Sequence, residues 1–189
     1  MAIETDRLVI RGFRADDAEP LRQMIVRYQA SEYAAYDHRW PTSPEEVKGV
    51  AEWFASGDSF LAVCLKATGT LIGFVALNGG EGEAGKELNL GYCFDADYHG
   101  KGYATEACRA ALSRAFSTLG AARVVTGTAA ANTPSCRLLA RLGMSKTGEA
   151  TGSFQQSEDG TPIDFLGYSF ALSREEWARQ GSGDAGAAP

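Results

Sequence analysis

Chemistry is densest where the chain reads Tyr92-Cys93-Phe94-Asp95-Ala96-Asp97-Tyr98-His99-Gly100-Lys101-Gly102-Tyr103-Ala104-Thr105-Glu106-Ala107. An apolar run ends at Phe94, a glycine-bearing turn follows, and an amphipathic helical pattern begins at once. Gly100 and Gly102 remove Cβ atoms where another group must approach the backbone. The turn leaves successive N–H groups unpaired at a helix N-terminus, where donors and helix dipole together favour an anion. Two adjacent phosphates suit such a cradle, and Lys101 adds a positive charge. The spacing is neither a G-x-x-x-x-G-K-[ST] loop nor a G-x-G-x-x-G fingerprint. A G-x-G on its own more often marks an ordinary tight strand–helix turn.

A second group lies at Asn132-Thr133-Pro134-Ser135. Asn132 is placed to cap a helix, and Ser135 sits one turn in, where its hydroxyl either packs or handles a proton. Aromatic residues gather in two further stretches. Tyr33, Tyr36, Asp37, His38 and Trp40 lie between two helical patterns, and Phe154, Asp164 and Phe165 lie in a late hairpin. An aromatic slot with a carboxylate suits a cation, and aromatics covering core edges produce the same pattern. Cys64, Cys93, Cys108 and Cys136 form no CxxC pair, and no Cys/His cluster has zinc spacing, so no metal is expected. They read as small buried hydrophobes. The only histidines are His38 and His99.

The elements that must hold these residues follow from periodicity. Leu8–Ile10 reads as a strand, and Asp16 and Asp17 start a helix to about Tyr28 with Ala18, Leu21, Ile25 and Tyr28 on one stripe. Ser43-Pro44 starts a second helix carrying Val47, Val50, Ala51 and Phe54. Ser59–Leu65 and Leu71–Leu77 form a hairpin, and Gly79–Gly85 reads as a turn or flexible loop. Leu88–Phe94 is the next strand. Then come a helix from about Lys101 to Leu119, a strand Arg123–Thr128, and a helix Asn132–Leu142 stopped by Gly143. Two strands near Ser145–Gly152 and Ile163–Leu172 flank a polar hairpin, and Ser173–Trp177 is a capped turn of helix. This order predicts a mixed α/β (α+β) fold: about seven strands, mostly antiparallel, with helices on both faces. Residues 1–180 read as one domain and Gly181–Pro189 as a Gly/Ala-rich tail.

Composition narrows the function classes. The 189 residues carry 18 Lys+Arg against 24 Asp+Glu, a net charge of −6. Nucleic acid is therefore not the expected partner, because a phosphate grip needs a basic face. No apolar run approaches membrane-spanning length, so no membrane partner is expected. The N-terminus has no signal-peptide pattern, which with unpaired cysteines predicts a cytoplasmic protein.

His99-Gly100-Lys101-Gly102-Tyr103-Ala104 resembles the Q/R-x-x-G-x-G/A signature of the GCN5-related N-acetyltransferase (GNAT) family, with His99 where the family usually has Gln or Arg. Residues 98–107 are similar to the branch that acetylates N-termini of ribosomal proteins. Thr5-Asp6-Arg7-Leu8-Val9-Ile10-Arg11 resembles that branch's first strand. Asn132-Thr133-Pro134-Ser135 with Leu138 and Arg141-Leu142-Gly143-Met144 resembles its N-x-x-S…K/R-L-G-F segment, and Leu172–Trp177 its closing motif. Together these span residues 5–177 in the family's order.

The resemblance implies a splayed sheet with acetyl-CoA in the opening. Backbone N–H groups of Gly100, Lys101, Gly102, Tyr103, Ala104 and Thr105 would hold its pyrophosphate, with His99 beside them. Cys93, Phe94 and Asp95 would pair with the pantetheine arm like an added strand. Asn132 would bond the pantetheine, and Arg137 belongs to the same cofactor-side set. The implied reaction is direct transfer to a primary amine: a peptide N-terminal α-amine or, alternatively, a small amine. A third alternative is a module that binds acetyl-CoA without catalysis. The family's usual glutamate position is Asn89, and its usual tyrosine position is Leu139, so neither usual acid/base group is present. Glu87, two residues before Asn89 along the strand, is a candidate base. Ser135 resembles the serine that protonates the leaving thiolate in this branch. Tyr33, Tyr36, Trp40, Asn89, Phe154 and Phe165 are the expected acceptor wall. A monomer or homodimer is expected.

Overall fold

Local signals start the helices where the sequence predicts. The Ser43 hydroxyl accepts from the Glu46 N–H at 3.4 Å, and Pro44 opens the helix that follows at a position that needs no donor. Asn132 caps a later helix by accepting from the Ser135 N–H at 3.1 Å, and Gly143 ends it at φ 76°. The computed structural model describes residues 2–82 and 85–184. Its strands are β1 (Ala2–Glu4), β2 (Leu8–Gly12), β3 (Phe60–Leu65), β4 (Leu71–Gly82), β5 (Gly85–Phe94), β6 (Arg123–Ala129), β7 (Ser145–Gln156) and β8 (Pro162–Ser173). Its α-helices are α1 (Ala18–Gln29), α2 (Pro44–Ala55), α3 (Tyr103–Ser117), α4 (Thr133–Arg141) and α5 (Arg174–Asp184).

The strands form one eight-stranded sheet in the order β1-β2-β3-β4-β5-β6-β8-β7, antiparallel throughout except between β5 and β6. Two apolar clusters lie on it. Leu8, Leu90, Leu112, Leu139 and Leu172 join the larger cluster around α3 and α4. Phe13, Leu21, Ile25, Val47, Phe54 and Phe74 form the smaller one around α1 and α2. Helices therefore cover both faces, as the pattern predicts.

Three expectations are corrected. The sheet has eight strands rather than about seven, because Ala2–Glu4 pairs with Val9–Arg11. The glycine-rich segment is not a loop: β4 and β5 stay paired from Gly73↔Phe94 to Gly82↔Gly85, while residues 83–84 lie outside the described residues. Gly79 shows why glycine is needed in that ladder, since a Cβ there would meet the Glu87 carbonyl oxygen at 2.2 Å. Finally, the short capped turn expected at Ser173–Trp177 opens a longer helix, α5, that continues to Asp184; residues 185–189 lie outside the described residues. The Ser173 N–H and hydroxyl both donate to Glu176 Oε2, at 2.7 and 2.8 Å, and Trp177 stacks on Phe116. No helix among the described residues is long and apolar enough to cross a membrane.

Candidate active site

The sheet comes apart between β5 and β6. Only Glu87↔Arg123, Leu88↔Val124 and Asn89↔Val125 pair. One step further, the Thr126 hydroxyl donates to the Leu90 carbonyl at 2.7 Å, and beyond it the strands separate. From there β5 follows β4 as far as Phe94, and β6 follows β8 as far as Ala129. The result is a wedge-shaped opening with a bare strand edge along one wall.

Backbone parity decides which groups that edge offers. The Lys86 and Leu90 carbonyls both accept from the β6 side. Even-numbered residues of β5 therefore turn their N–H and C=O toward the gap, so Tyr92 and Phe94 supply the unpaired edge. Cys93 turns toward β4, where its carbonyl oxygen lies 2.6 Å from the place a Gly73 Cβ would occupy. The Asp95 N–H donates to the Ile72 carbonyl at 2.9 Å, and its carbonyl accepts from Tyr98 N–H. Of the three residues expected to pair with pantetheine, Phe94 faces the gap, whereas the backbone groups of Cys93 and Asp95 face β4 or are already bonded. The Asp95 side chain is equally committed. It is 3% exposed, makes a two-point ion pair with Arg27 of α1 and accepts from the Asp97 N–H. It anchors the strand end rather than a ligand.

The cradle follows Phe94. Gly100 and Gly102 adopt φ of 73° and 81°, left-handed conformations that strain a side-chain-bearing residue. The first helical bond runs from Glu106 N–H to the Gly102 carbonyl, so the N–H groups of Tyr103, Ala104 and Thr105 precede it. This fits an anion, and the residues expected to hold one are the residues brought here. The turn is braced from behind. Glu106 accepts from the Thr5 hydroxyl at 2.6 Å, the Arg7 N–H at 2.9 Å and Arg7 Nε at 2.7 Å, while Arg7 Nη1 donates to the Lys101 carbonyl. Burial pushes the Glu106 carboxyl up, but those donors outweigh it and hold it below its ordinary value. Lys101 Nζ donates to the Asp97 carbonyl at 3.0 Å. His99 Nε2 meets the Phe94 carbonyl at 2.9 Å, on the open edge itself.

Tyr92 and Ser135 meet across the opening. The Tyr92 side chain leaves β5 on the α4 face, and its hydroxyl lies 2.5 Å from Ser135 Oγ. Burial pushes the Tyr92 phenol up, with the Ser135 bond acting in the opposite sense. The pair is therefore neutral, with one hydroxyl hydrogen shared between two oxygens and a second available to donate elsewhere. Tyr92 was not legible as a site residue because an aromatic in a strand reads as core. Its signal is the parity that places it beside Ser135. Asn132 Oδ1 caps α4, and Arg137 is exposed two residues beyond Ser135. Burial pushes the Cys136 thiol up, which disfavours a thiolate nucleophile there.

Glu87 is not brought to this place. It lies in the closed part of the wedge, before the separation, and its carboxylate accepts from Arg123 Nη1 at 3.2 Å. Asn89 is exposed at the last paired step. Several residues expected of an acceptor wall come together between the α1–α2 loop and the β7–β8 hairpin. Tyr36 lies 5.7 Å from Phe165, His38 lies 4.3 Å from Phe154, and Phe154 lies 5.4 Å from Phe165, ring centre to ring centre. Gln155 Nε2 ties the β7–β8 hairpin to the α1–α2 loop by donating to the carbonyls of Ala34 at 2.6 Å and Asp37 at 2.7 Å. Tyr33 sits half-buried on the same loop. Trp40 packs against the smaller core cluster, edge-on to Phe54 and Phe74, and not with the other wall residues. Among the described residues no group of three His, Cys, Asp or Glu is placed to hold a metal.

Comparison with known proteins agrees with this geometry. Residues 7–145 match the model of the acetyltransferase (GNAT) domain family. The chain is 28% identical over 180 residues to the uncharacterized N-acetyltransferase YnaD of Bacillus subtilis (strain 168), covering 94% of this chain and 99% of that protein. Among solved structures, it matches ribosomal-protein-S5-alanine acetyltransferase from Vibrio fischeri with a TM-score of 0.77 at 19% identity, covering 94% of this chain and 98% of the other. It also matches spermidine N-acetyltransferase from Vibrio cholerae in complex with CoA and spermine, with a TM-score of 0.75 at 15% identity, covering 92% and 99%. At those identities the two structures speak for the fold. The family model runs from Arg7, just before β2, through the cradle and α4 to Ser145, and the chain belongs to the GNAT family of acetyltransferases.

Proposed function

We propose that the protein transfers the acetyl group of acetyl-CoA directly to a primary amine, and that the acceptor is a peptide N-terminal α-amine. The observation that carries this reading is the bare edge of Tyr92 and Phe94, which leads straight into the left-handed glycine cradle and lies beside the Tyr92–Ser135 pair. The pyrophosphate would rest on the N–H groups of Gly100–Thr105, and the pantetheine arm would lie along the edge, displacing His99 from the Phe94 carbonyl. The thioester would then sit beside Tyr92. Its backbone N–H, turned into the gap, is a donor for the tetrahedral oxyanion. Ser135 returns a proton to the departing thiolate.

Amine acidity supports the acceptor. A lysine-type amine of pKa about 10.4 needs roughly 4–5 kcal/mol to be neutral at pH 7, whereas an α-amine of about 7.7–8.0 needs only about 1 kcal/mol. A site without the usual glutamate is better matched to the second. A small cationic amine is the second reading, favoured by the aromatic wall that includes Asp37. Protein with acetyl-CoA and a panel of N-terminal peptides and small amines, followed by free-thiol release, tests both. Amine-dependent release with peptides is the expected result. Release with small amines alone overturns the acceptor assignment, and no release with any amine overturns the transferase assignment.

A further inference from the structure

A carboxylate other than the expected one lies near Cys93 of β5. Asp37 is half-buried on the α1–α2 loop, on the opposite face of β5 from Ser135. Its Oδ2 accepts from the Tyr28 hydroxyl at 3.0 Å, and its Oδ1 accepts from the His38 N–H at 2.7 Å. Its carbonyl is held by Gln155, so the β7–β8 hairpin fixes the loop. Each carboxylate oxygen keeps a second acceptor position. Among the described residues no Lys or Arg forms an ion pair with it. The negative charge bears on β5 itself: burial, then Asp37 and Asp95, push the Cys93 thiol up to about 12. Cys93 follows Tyr92, and consecutive strand residues point to opposite faces. One short stretch of β5 thus has a hydroxyl pair on one side and a carboxylate on the other.

We infer that Asp37 binds the acceptor's ammonium group and takes its proton. The inference rests on the transferase reading above. The ammonium gives its proton to Asp37, and the neutral nitrogen forms a bond to the thioester carbonyl carbon. The C–S bond then breaks, the thiolate sulfur takes a proton from Ser135 Oγ, and the nitrogen's second proton leaves to water, which resupplies Ser135. Asp37 later releases its proton to solvent. The amide, free CoA thiol and one net proton are the products. The Tyr28 phenol orients the carboxylate, and Tyr36, His38, Phe154 and Phe165 supply aromatic faces on the same loop and hairpin. The other titratable groups facing Asp37 are Tyr28 from α1, Cys93 from β5, and its loop neighbours His38 and Tyr36. The β7 and β8 residues that pack there, Phe154, Gln155 and Phe165, do not ionise.

The test is a pH profile of kcat/KM with a peptide bearing a free α-amine, for wild type and Asp37→Asn. With Asp37 as proton acceptor, the wild-type value changes by less than about 2-fold between pH 6.0 and 7.5, because the ammonium form is productive. The variant is about 100-fold slower at pH 7 and rises roughly 20-fold over the same interval, as the neutral fraction of an amine of pKa 7.7–8.0 rises. Parallel profiles, whatever the difference in rate, overturn the inference and leave the transferase assignment standing. So does a variant still protected from heat by acetyl-CoA yet inactive up to pH 9.5. If Asp37→Asn does not fold, Asp37→Ala is assayed with added sodium formate. Recovery with formate but not chloride supports the role, and no recovery overturns it. Wild type that releases no thiol with any amine instead sinks the transferase reading itself.

Discussion

Replacing the Tyr92–Ser135 pair one partner at a time, and then together, separates its structural from its chemical role. The two hydroxyls are 2.5 Å apart, and Ser135 is 8% exposed. In Ser135→Ala the Tyr92 phenol is left in a largely apolar surrounding without its partner, which costs about 1–3 kcal/mol. Tyr92→Phe costs less, about 1 kcal/mol, because a serine hydroxyl in the first turn of a helix can rotate toward nearby backbone. The double variant removes donor and acceptor together, so it is no less stable than Ser135→Ala alone. The expected coupling is about 1–2 kcal/mol, read from urea midpoints, with each kcal/mol equivalent to about 2–4 °C in Tm for a chain of this size. Thiol release at saturating substrates provides the second readout. Ser135→Ala lowers kcat by about 100-fold, the low end for a proton donor, since a CoA thiolate is a fair leaving group. Tyr92→Phe lowers it only several-fold, about 3–10, because Ser135 keeps its own hydroxyl, and the double variant matches Ser135→Ala. Stabilities that simply add within about 0.5 kcal/mol would refute the pairing. A Ser135→Ala enzyme with unchanged kcat would refute the proton-donor role.

Other perturbations probe the cradle, the strand edge and the clasp. Gly73→Ala would place a Cβ 2.5 Å from Phe94 Cδ1 and 2.6 Å from the Cys93 carbonyl oxygen, so β5 must shift; a loss of about 1–3 kcal/mol in urea unfolding and weaker protection by acetyl-CoA are expected. Glu106, held below its ordinary value of 4.5, contributes stability that is present above that pH and lost as pH falls through its folded value. The stability difference between wild type and Glu106→Gln is therefore constant from pH 8 to about 5.5 and shrinks toward pH 3. Gln155→Ala removes both donors that join hairpin to loop; acceptor KM rises several-fold while acetyl-CoA KM stays unchanged, measured by varying each substrate in turn.

The order of elements follows from a fixed chemistry of ends and faces. A glycine-bearing turn that starts α3 needs β5 directly before it, and the braces from Thr5 and Arg7 need β2 across the sheet. Arg27 reaches from α1 to the buried Asp95 at the end of β5, so the cradle-side strand end is tied to the acceptor-side helix. Removing Arg27 would leave the buried Asp95 carboxylate without its compensating charge, which is why Asp95 belongs to the framework and not to the ligand.

Helix starts and stops at Ser43, Asn132 and Gly143, the apolar run of β3, and the left-handed glycine turn at Gly100–Gly102 were all legible along the chain. Each depends on residues within one turn or one strand of each other, and local capping, periodicity and positive-φ glycine chemistry act over that range. The gathering of Tyr36, Phe154 and Phe165 was legible only as a shared aromatic character. What the tertiary structure alone decided is register. Whether an even or an odd residue of β5 offers its backbone to the opening depends on how β5 pairs with β4 and where β6 departs, and neither is written in β5 itself. That parity sets Tyr92 against Ser135, turns Cys93 and Asp95 inward and leaves Glu87 with Arg123 in the closed part of the wedge, while the packing of a distant loop puts Asp37 near Cys93 on the other face of β5.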